Sequence, residues 1–209
     1  LLSKVSCFRG SMDYAVLKKV FPSPDLDKAL LDLRKRGLLQ YAGESQRYDM
    51  HPIVRHYAYD RLTITDRTGA HERLVDYFEA VPKPAKVNSL EDLTPVIELY
   101  HHCVQAGQYP YAYSIFNDRL NQFLYVESGE YTLCIELLEG LLQASKDSWD
   151  DNDPHAQSWV LNKLALCYNR TGKSYDAEKY FRKQIALREK MGYMPGVAIG
   201  LGNLSEVLI

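Results

Sequence analysis

The clearest pattern of apolar positions lies in the stretch from Leu161 to Leu187. Large apolar residues such as Leu164 and Phe181 recur there at the three- and four-residue spacing of helices, with small residues between them. Gly172 interrupts the pattern and predicts a tight connection between two antiparallel helices. A single helical hairpin cannot bury its own apolar face, so this stretch predicts further hairpins packed beside it.

Three further stretches repeat parts of this pattern. One is centred on Gly107 and another on Gly129, only 22 residues later along the chain. Complete two-helix repeats need about 34 residues each, so these copies are compressed, and we predict a shared or shortened helix around Asn117–Leu124. A partial copy, Leu204–Leu208, begins 40 residues after Leu164. The pattern therefore predicts an irregular array of helical hairpins that form an α-α superhelix.

The N-terminal part of the chain follows a different plan, in which short helices come before a β-hairpin. Apolar spacing predicts helices from Leu2 to Phe8 and from Ser11 or Met12 to Val20. Asp25 is positioned to cap a third helix, and Gly37 is positioned to end it. These three helices are the first half of the module.

A β-hairpin and a closing helix complete this module. Two short runs, Leu38–Tyr41 and Arg47–Met50, flank a polar loop that contains a glycine, which is typical of a β-hairpin. Pro52 opens a helix that extends to Leu62, and we expect its inward face to carry Ile53, Tyr57 and Ala58. Three or four helices with a β-hairpin indicate a winged-helix domain.

The chain is thus predicted to be mainly α-helical and to have three parts. Residues 1–64 form the winged-helix domain, residues 65–92 form a connecting helix and linker, and residues 93–209 form the helical repeats. The chain begins without Met inside one apolar pattern and ends inside another. We therefore expect it to be part of a longer protein, with its last repeat truncated.

Composition and the spacing of the cysteines indicate a globular protein rather than a membrane, disulfide-rich or zinc-binding one. With 46% apolar and 25% charged residues the composition is ordinary for a globular chain, and no apolar run approaches the ~20 residues of a membrane span. The cysteines are widely spaced and have no CxxC pairing, which favours buried free thiols in a reducing cytoplasm over disulfides or zinc. They are Cys7, Cys103, Cys134 and Cys167. We expect a cytoplasmic protein without a metal site or a membrane partner.

Several stretches resemble one class of signalling protein. The segment "LALCYNRTGKSYDAEKYFRKQIALREKMGY", followed by "AIGLGNLSEV", resembles the tetratricopeptide repeats (TPR) attached to STAND-type signal-transduction NTPases. The segments "LLSKVSCFRG", "LLDLRKRGLLQ" and "YDMHPIVRHYAYDRL" resemble the winged-helix domain of the same NB-ARC and NACHT-like class. The resemblance implies a regulatory fragment that carries a winged helix and the start of a TPR sensor array.

His51 is the residue that the resemblance connects to a nucleotide. In this class the histidine of the last motif contacts the β-phosphate of ADP held by an upstream nucleotide-binding domain, and His51 occupies the matching position. It also stands where a residue would cap the helix that follows. No GxxxxGK[ST] motif occurs in the chain. We therefore expect no enzyme activity and no cofactor in this fragment, with ADP or ATP bound by the parent protein.

The repeats carry the candidate ligand site. In stacked hairpins the first helices line a concave face, so we expect a protein or peptide to bind there. Asn can pair with a peptide backbone and Lys or Arg with a carboxylate, which makes an acidic peptide end one hypothesis. The residues predicted to face this groove are Trp159, Asn162, Lys163, Leu166, Asn169, Arg170, His101, Gln105, Asn203 and Glu206.

Three functions are compatible with these features. In the first, a ligand on the repeats biases a closed, ADP-bound parent protein against an open, ATP-bound form that can oligomerise. In the second, the winged helix binds DNA and the repeats sense a signal. Residues 1–62 carry 11 Lys+Arg against 7 Asp+Glu, and no Arg, Asn or Gln cluster is placed to read bases, which disfavours nucleic acid as a partner. The third function is a plain protein-interaction scaffold.

Overall fold

Helices account for most of the chain in the computed structural model, which describes residues 1–84, 86–146 and 154–208. The chain divides into two units, Leu1–Ala85 and Lys86–Ile209. The predicted mainly α-helical fold is therefore confirmed. Within the described ranges no helix is both long enough and apolar enough to cross a membrane.

The N-terminal unit combines helices with a small antiparallel sheet. Strand order in the sheet is β1-β3-β2, and Tyr48 of the central strand lies opposite Met12 on one side and Tyr41 on the other. The elements in chain order are α1 Leu2–Val5, β1 Met12–Asp13, α2 Tyr14–Val20, α3 Leu26–Lys35, β2 Gln40–Ala42, β3 Arg47–Asp49, α4 Pro52–Asp60 and α5 Ile64–Glu79.

The hairpin prediction is confirmed, whereas the predicted start of the second helix is wrong. β2 and β3 pair as expected from the two runs around the polar loop. The second helix begins at Tyr14 rather than at Ser11 or Met12. Met12 instead lies in a third strand, because there it pairs with Tyr48 and buries its side chain in the core of the unit.

The orientation predicted for α4 is also wrong. Ile53 and Tyr57 are 73% and 61% exposed, and only Ala58 of the expected inward residues is buried. Arg55 explains the difference, because its guanidinium faces the unit and is hydrogen-bonded there. Its partners are the carbonyls of Phe8, Gly10 and Met50 and the carboxylate of Asp49. A charged group with this many partners dictates which face of the helix is turned inward.

Helix α5 belongs to the N-terminal unit rather than to a connector. Its residues Ala70 and Leu74 are buried in the same core as Val5, Leu17 and Leu30. The unit therefore extends through residue 85, and the boundary predicted after residue 64 moves to the end of this helix. The helix stays with the unit because its apolar face would otherwise be left in water.

A buried polar cluster stands where α4 and α5 meet. The Tyr59 hydroxyl lies 2.9 Å from Nε2 of His71, and the guanidinium of Arg67 lies 4.2 Å above the Tyr59 ring. Burial, followed by the charge of Arg67, lowers the pKa of His71 to about 4. Burial raises the pKa of Cys7 to about 12. His71 and Cys7 are therefore both neutral at physiological pH.

The first element of the C-terminal unit is a 3₁₀ turn, Glu91–Leu93, and the further elements in the described part of this unit are all helices. The helix that follows α6 has a mixed hydrogen-bond pattern, in which α7 runs on into two π-helical segments, Phe116–Leu120 and Gln122–Glu127. The helices are α6 Thr94–Gln105, α7 Tyr109–Ile115, α8 Tyr131–Ala144, α9 Pro154–Arg170, α10 Ser174–Lys190 and α11 Met194–Val207.

The compressed spacing of the first two copies is explained by a shared helix, as predicted. From Tyr109 to Glu127 the chain is helical throughout, first as α7 and then in the two π-helical segments. The first part packs against α6, and the last part packs against α8. One helix thus serves two successive hairpins, which shortens the distance between their turns.

The turn predicted at Gly172 is confirmed and is a Schellman motif. The N–H of Lys173 donates to the carbonyl of Tyr168 at 2.9 Å, and the N–H of Gly172 donates to Asn169 at 3.0 Å. Gly172 has a φ of 73°, which an L-residue with a side chain adopts only at a cost. The same two bonds occur at Gly107 and Gly192, so these three turns share one hydrogen-bond pattern.

The low pKa of His71 predicts a loss of stability in acid. Its unfolded-state pKa is about 6.5, so below that pH the unfolded chain binds a proton that the folded chain does not bind. We expect the free energy of unfolding to fall as the pH drops from about 6.5 to about 4, by about 3 kcal/mol from this residue.

Urea unfolding across this pH range measures the effect. His71→Gln should flatten the dependence of unfolding free energy on pH in this window, because the titrating ring is gone. His56→Gln is the control, since the His56 ring is exposed and lies 3.3 Å from the carboxylate of Asp60, one turn along the same helix. An unchanged slope in His71→Gln would contradict the assignment.

Candidate ligand-binding groove

One face of α9 carries most of the residues predicted to bind a ligand. At 100° per residue, the six predicted positions on this helix fall within an arc of about 120°. Five of them are half-buried and Arg170 is exposed, so the face is accessible. They are Trp159, Asn162, Lys163, Leu166, Asn169 and Arg170. We call this surface, with the residues that face it from neighbouring helices, the groove.

Lys163 is held by aromatic rings at the centre of the groove. Its Nζ atom lies 3.9 Å from the ring centroid of Tyr125 and 5.3 Å from that of Trp159. Trp159 in turn packs edge-on against Tyr113 and Phe116, with centroids 5.5 and 6.1 Å apart. Cation–π contacts and edge-to-face packing both favour these geometries. The ammonium group is therefore fixed in place before a ligand arrives.

The surroundings of Lys163 reduce the desolvation cost of pairing its ammonium group with a ligand. Burial lowers the pKa of Lys163, because part of its hydration shell is already removed. Beneath it, the Cys167 thiol donates a hydrogen bond to Cys134, which lowers the pKa of Cys134 and raises that of Cys167. An incoming carboxylate would meet a cation that needs little further desolvation.

A second cation lies at one end of the groove. The guanidinium of Arg170 donates a hydrogen bond to the hydroxyl of Tyr125, and the nearby Glu206 carboxylate adds a weaker attraction. Both interactions raise the pKa of Arg170, and burial raises the pKa of Tyr125. Tyr125 thus joins the two cations, one over its ring and one at its hydroxyl.

An amide pair connects α9 to α11. Nδ2 of Asn203 donates a hydrogen bond to Oδ1 of Asn162 at 3.1 Å. This bond leaves the amide nitrogen of Asn162 and the oxygen of Asn203 for other partners. A donor and an acceptor side by side suit the backbone of an extended peptide.

The structure thus brings eight of the ten predicted residues into one site, the six on α9 together with Asn203 and Glu206 on α11. It does not do so for the two on α6. His101 and Gln105 belong to α6, which packs mainly against α7 and α8 rather than α9. The ring of His101 lies against that of His102, with centroids 5.2 Å apart. Sequence reasoning missed Tyr125 and Tyr113, which lie on the shared helix. The abundance of tyrosine, 16 in the chain, was the only signal for them.

His51 is exposed and caps α4. Its Nδ1 accepts a hydrogen bond from the N–H of Ile53 at 3.3 Å, which is the capping role that the sequence left open. The capping bond uses one ring nitrogen and leaves Nε2 for another partner. A contact with a nucleotide stays a prediction.

A solved structure with a similar fold is the crystal structure of the Signal Transduction ATPase with Numerous Domains (STAND) protein with a tetratricopeptide repeat sensor from Pyrococcus horikoshii. The TM-score is 0.50 and the sequence identity is 16%. The match covers 99% of this chain and 34% of that one, so this chain spans about a third of the length of the solved protein. At this identity the similarity concerns the fold alone. No family model and no curated protein matches the sequence.

The position of α11, and with it Asn203 and Glu206, depends on a close approach to α10 at Gly200. A Cβ atom at this position would lie 2.2 Å from Oε1 of Gln184 and 2.7 Å from Cγ1 of Ile185. We expect Gly200→Ala to lower the free energy of unfolding by about 1–3 kcal/mol through overpacking. Urea unfolding of the purified protein measures the change.

Gly202 is the matched control on the same helix. A Cβ atom there would meet no atom within 4 Å. Gly202→Ala should therefore raise stability by up to about 1 kcal/mol, because alanine favours the helix. If both variants were stabilised alike, the close packing of α10 and α11 would be refuted.

Proposed function

We propose that this chain is the regulatory and sensor region of a STAND-type signalling NTPase. In this proposal the N-terminal unit is a winged helix, and the C-terminal repeats bind a protein or peptide. The observation that carries it is the groove, where an aromatic-held lysine, an arginine and an asparagine pair lie on one accessible face. The chain itself catalyses no reaction in this proposal, and its parent protein binds ADP or ATP.

The chemistry of the groove favours a peptide that carries a carboxylate. Lys163 and Arg170 supply two cations, and the Glu206 carboxylate offsets part of the charge of Arg170. The pair of Asn162 and Asn203 can form hydrogen bonds with a peptide backbone, which also fixes the direction of the bound peptide. The rings of Tyr113, Tyr125 and Trp159 offer apolar area on which one side chain of the peptide can pack. Together these groups match the acidic C-terminal end of a protein.

A peptide titration tests this proposal. In a Trp149→Phe background Trp159 is the sole tryptophan, and its fluorescence reports on the groove. The probe is a pool of pentapeptides that end in aspartate or glutamate with a free carboxylate. We expect saturable changes in emission, and about tenfold weaker binding to Lys163→Met, because a charge-assisted hydrogen bond is lost.

Two controls define the outcome. Lys173→Met removes an exposed lysine from the α9–α10 turn and should bind the pool as the parent protein does. The same peptides with amidated C-termini should bind about tenfold more weakly. Equal binding of amidated and free peptides, or normal binding by Lys163→Met, would refute a carboxylate-binding groove.

Signalling would follow from a difference in ligand affinity between two states of the parent protein. A ligand shifts a closed, ADP-bound form towards an open form only if it binds the open form more tightly. The upstream nucleotide-binding domain is the second proposed partner, and α4 offers it the exposed residues Ile53 and Tyr57 beside His51. The open form is proposed to oligomerise. Four buried free thiols support a cytoplasmic location.

The nucleotide contact of His51 is tested in the full-length parent protein. His51→Ala should release a fluorescent ADP analogue faster, by about tenfold, because a hydrogen bond to the diphosphate is removed. The measurement is the dissociation rate in the presence of excess unlabelled ADP. His56→Ala, which removes another exposed histidine of the same unit, should leave the rate unchanged. An unaltered rate in His51→Ala would leave helix capping as the sole role of His51.

A further inference from the structure

A second concave site lies on the side of α9 away from the groove. It is a cavity of about 570 Å³ between α8, α9 and α10. This volume lies within the range of small-molecule sites. Leu161 lines it from α9, and at 100° per residue this position points roughly opposite to the middle of the groove face. The cavity and the groove are therefore separate sites.

A carboxylate in the cavity is held in a fixed position. The hydroxyls of Tyr168 and Tyr180 both donate to Oε1 of Glu139, at 2.6 and 2.9 Å. The two rings stack with an interplanar angle of 5°. Burial and the bond to Glu139 raise the pKa of both tyrosines, that of Tyr180 to about 12, so both stay donors. Within the described residues no hydrogen bond to the other oxygen of Glu139, Oε2, is found. This oxygen can therefore accept a hydrogen bond from a ligand.

Opposite charges and apolar area complete the lining. Lys146 and Lys183 are exposed lysines at the cavity, and the apolar lining comes from Leu142, Leu161 and Leu187. A ligand with only a carboxylate would face repulsion from Glu139, and a ligand with only an amine would face repulsion from the lysines. A ligand that carries both charges avoids these costs and gains from each group.

We propose that this cavity binds a free apolar α-amino acid. The ligand's ammonium group donates to Oε2 of Glu139, and its carboxylate pairs with Lys146 and Lys183. Its side chain packs against the leucines. Such a ligand bridges α8 and α10, which belong to successive hairpins. Its binding therefore stabilises the packing of these two hairpins against each other.

Ligand analogues test the proposal without any change to the protein. L-leucine, L-methionine and L-phenylalanine are titrated into the 209-residue protein, with saturation-transfer NMR and calorimetry as readouts. We expect saturable binding of at least one of the three. For that amino acid, the N-acetyl derivative, which lacks the ammonium group, and the carboxamide, which lacks the carboxylate, should each bind at least about tenfold more weakly.

Three variants connect binding to the cavity. Glu139→Gln keeps an oxygen for the tyrosine hydroxyls but loses the charge, and Lys183→Met keeps the apolar stem but loses the ammonium group. Both should weaken amino-acid binding about tenfold. Lys179→Met is the matched control and should bind normally. Lys179 lies on the same helix and as near the Tyr180 ring, at 5.4 Å against 5.5 Å for Lys183, but outside the cavity lining.

The outcomes separate this proposal from the peptide groove. Failure of all three amino acids to bind, or equal binding of an amino acid and its N-acetyl derivative, overturns it whatever the peptide titration shows. The comparison of ligand analogues uses the unmodified protein, so it stands even if Glu139→Gln fails to fold. Normal amino-acid binding by a folded Lys183→Met would also overturn the placement of the carboxylate.

Discussion

Burial of one ridge of α9 is the constraint on which the C-terminal unit depends. Leu164, Ala165 and Cys167 are fully buried, and α9 packs against both α8 and α10. A helix held on both sides cannot rotate without exposing this ridge, and the cost of exposure scales with the apolar area. The opposite side of α9 therefore carries Lys163 into the groove, while Leu161, which is also buried, lines the cavity on the inner side.

Both candidate sites use tyrosine to stabilise a partly buried charge, which is a cation in the groove and an anion in the cavity. In the groove a cation is held by the faces of aromatic rings, where the quadrupole of Tyr125 offsets part of the hydration that Lys163 loses. In the cavity an anion is held by the hydroxyl edges of two tyrosines, which donate to Glu139. Tyrosine can serve both purposes because its ring has a negative face and a polar tip.

The N-terminal unit shows where a pattern of apolar residues misleads. Ile53 and Tyr57 recur at helical spacing, yet they point outward because Arg55 takes the inward position and its charge is bonded at several places. A buried charge without these bonds would cost far more than two exposed apolar side chains gain by burial. The start of α2 was missed because Met12 lies in a strand that pairs with β3, which is distant in sequence.

The sequence by itself determined most of the helices, the β-hairpin and the turns of the helical hairpins, because each depends on residues within a few positions of one another. Gly172 ends α9, and helical spacing places the predicted α9 residues on one face. The tertiary structure alone decided what those residues meet. Tyr125 over Lys163, the bond from Asn203 to Asn162 and the cavity itself join helices that are distant in sequence. Contacts between residues of different helices depend on how closely the helices pack. The volumes of many side chains decide that packing together, so no local sequence pattern contains it.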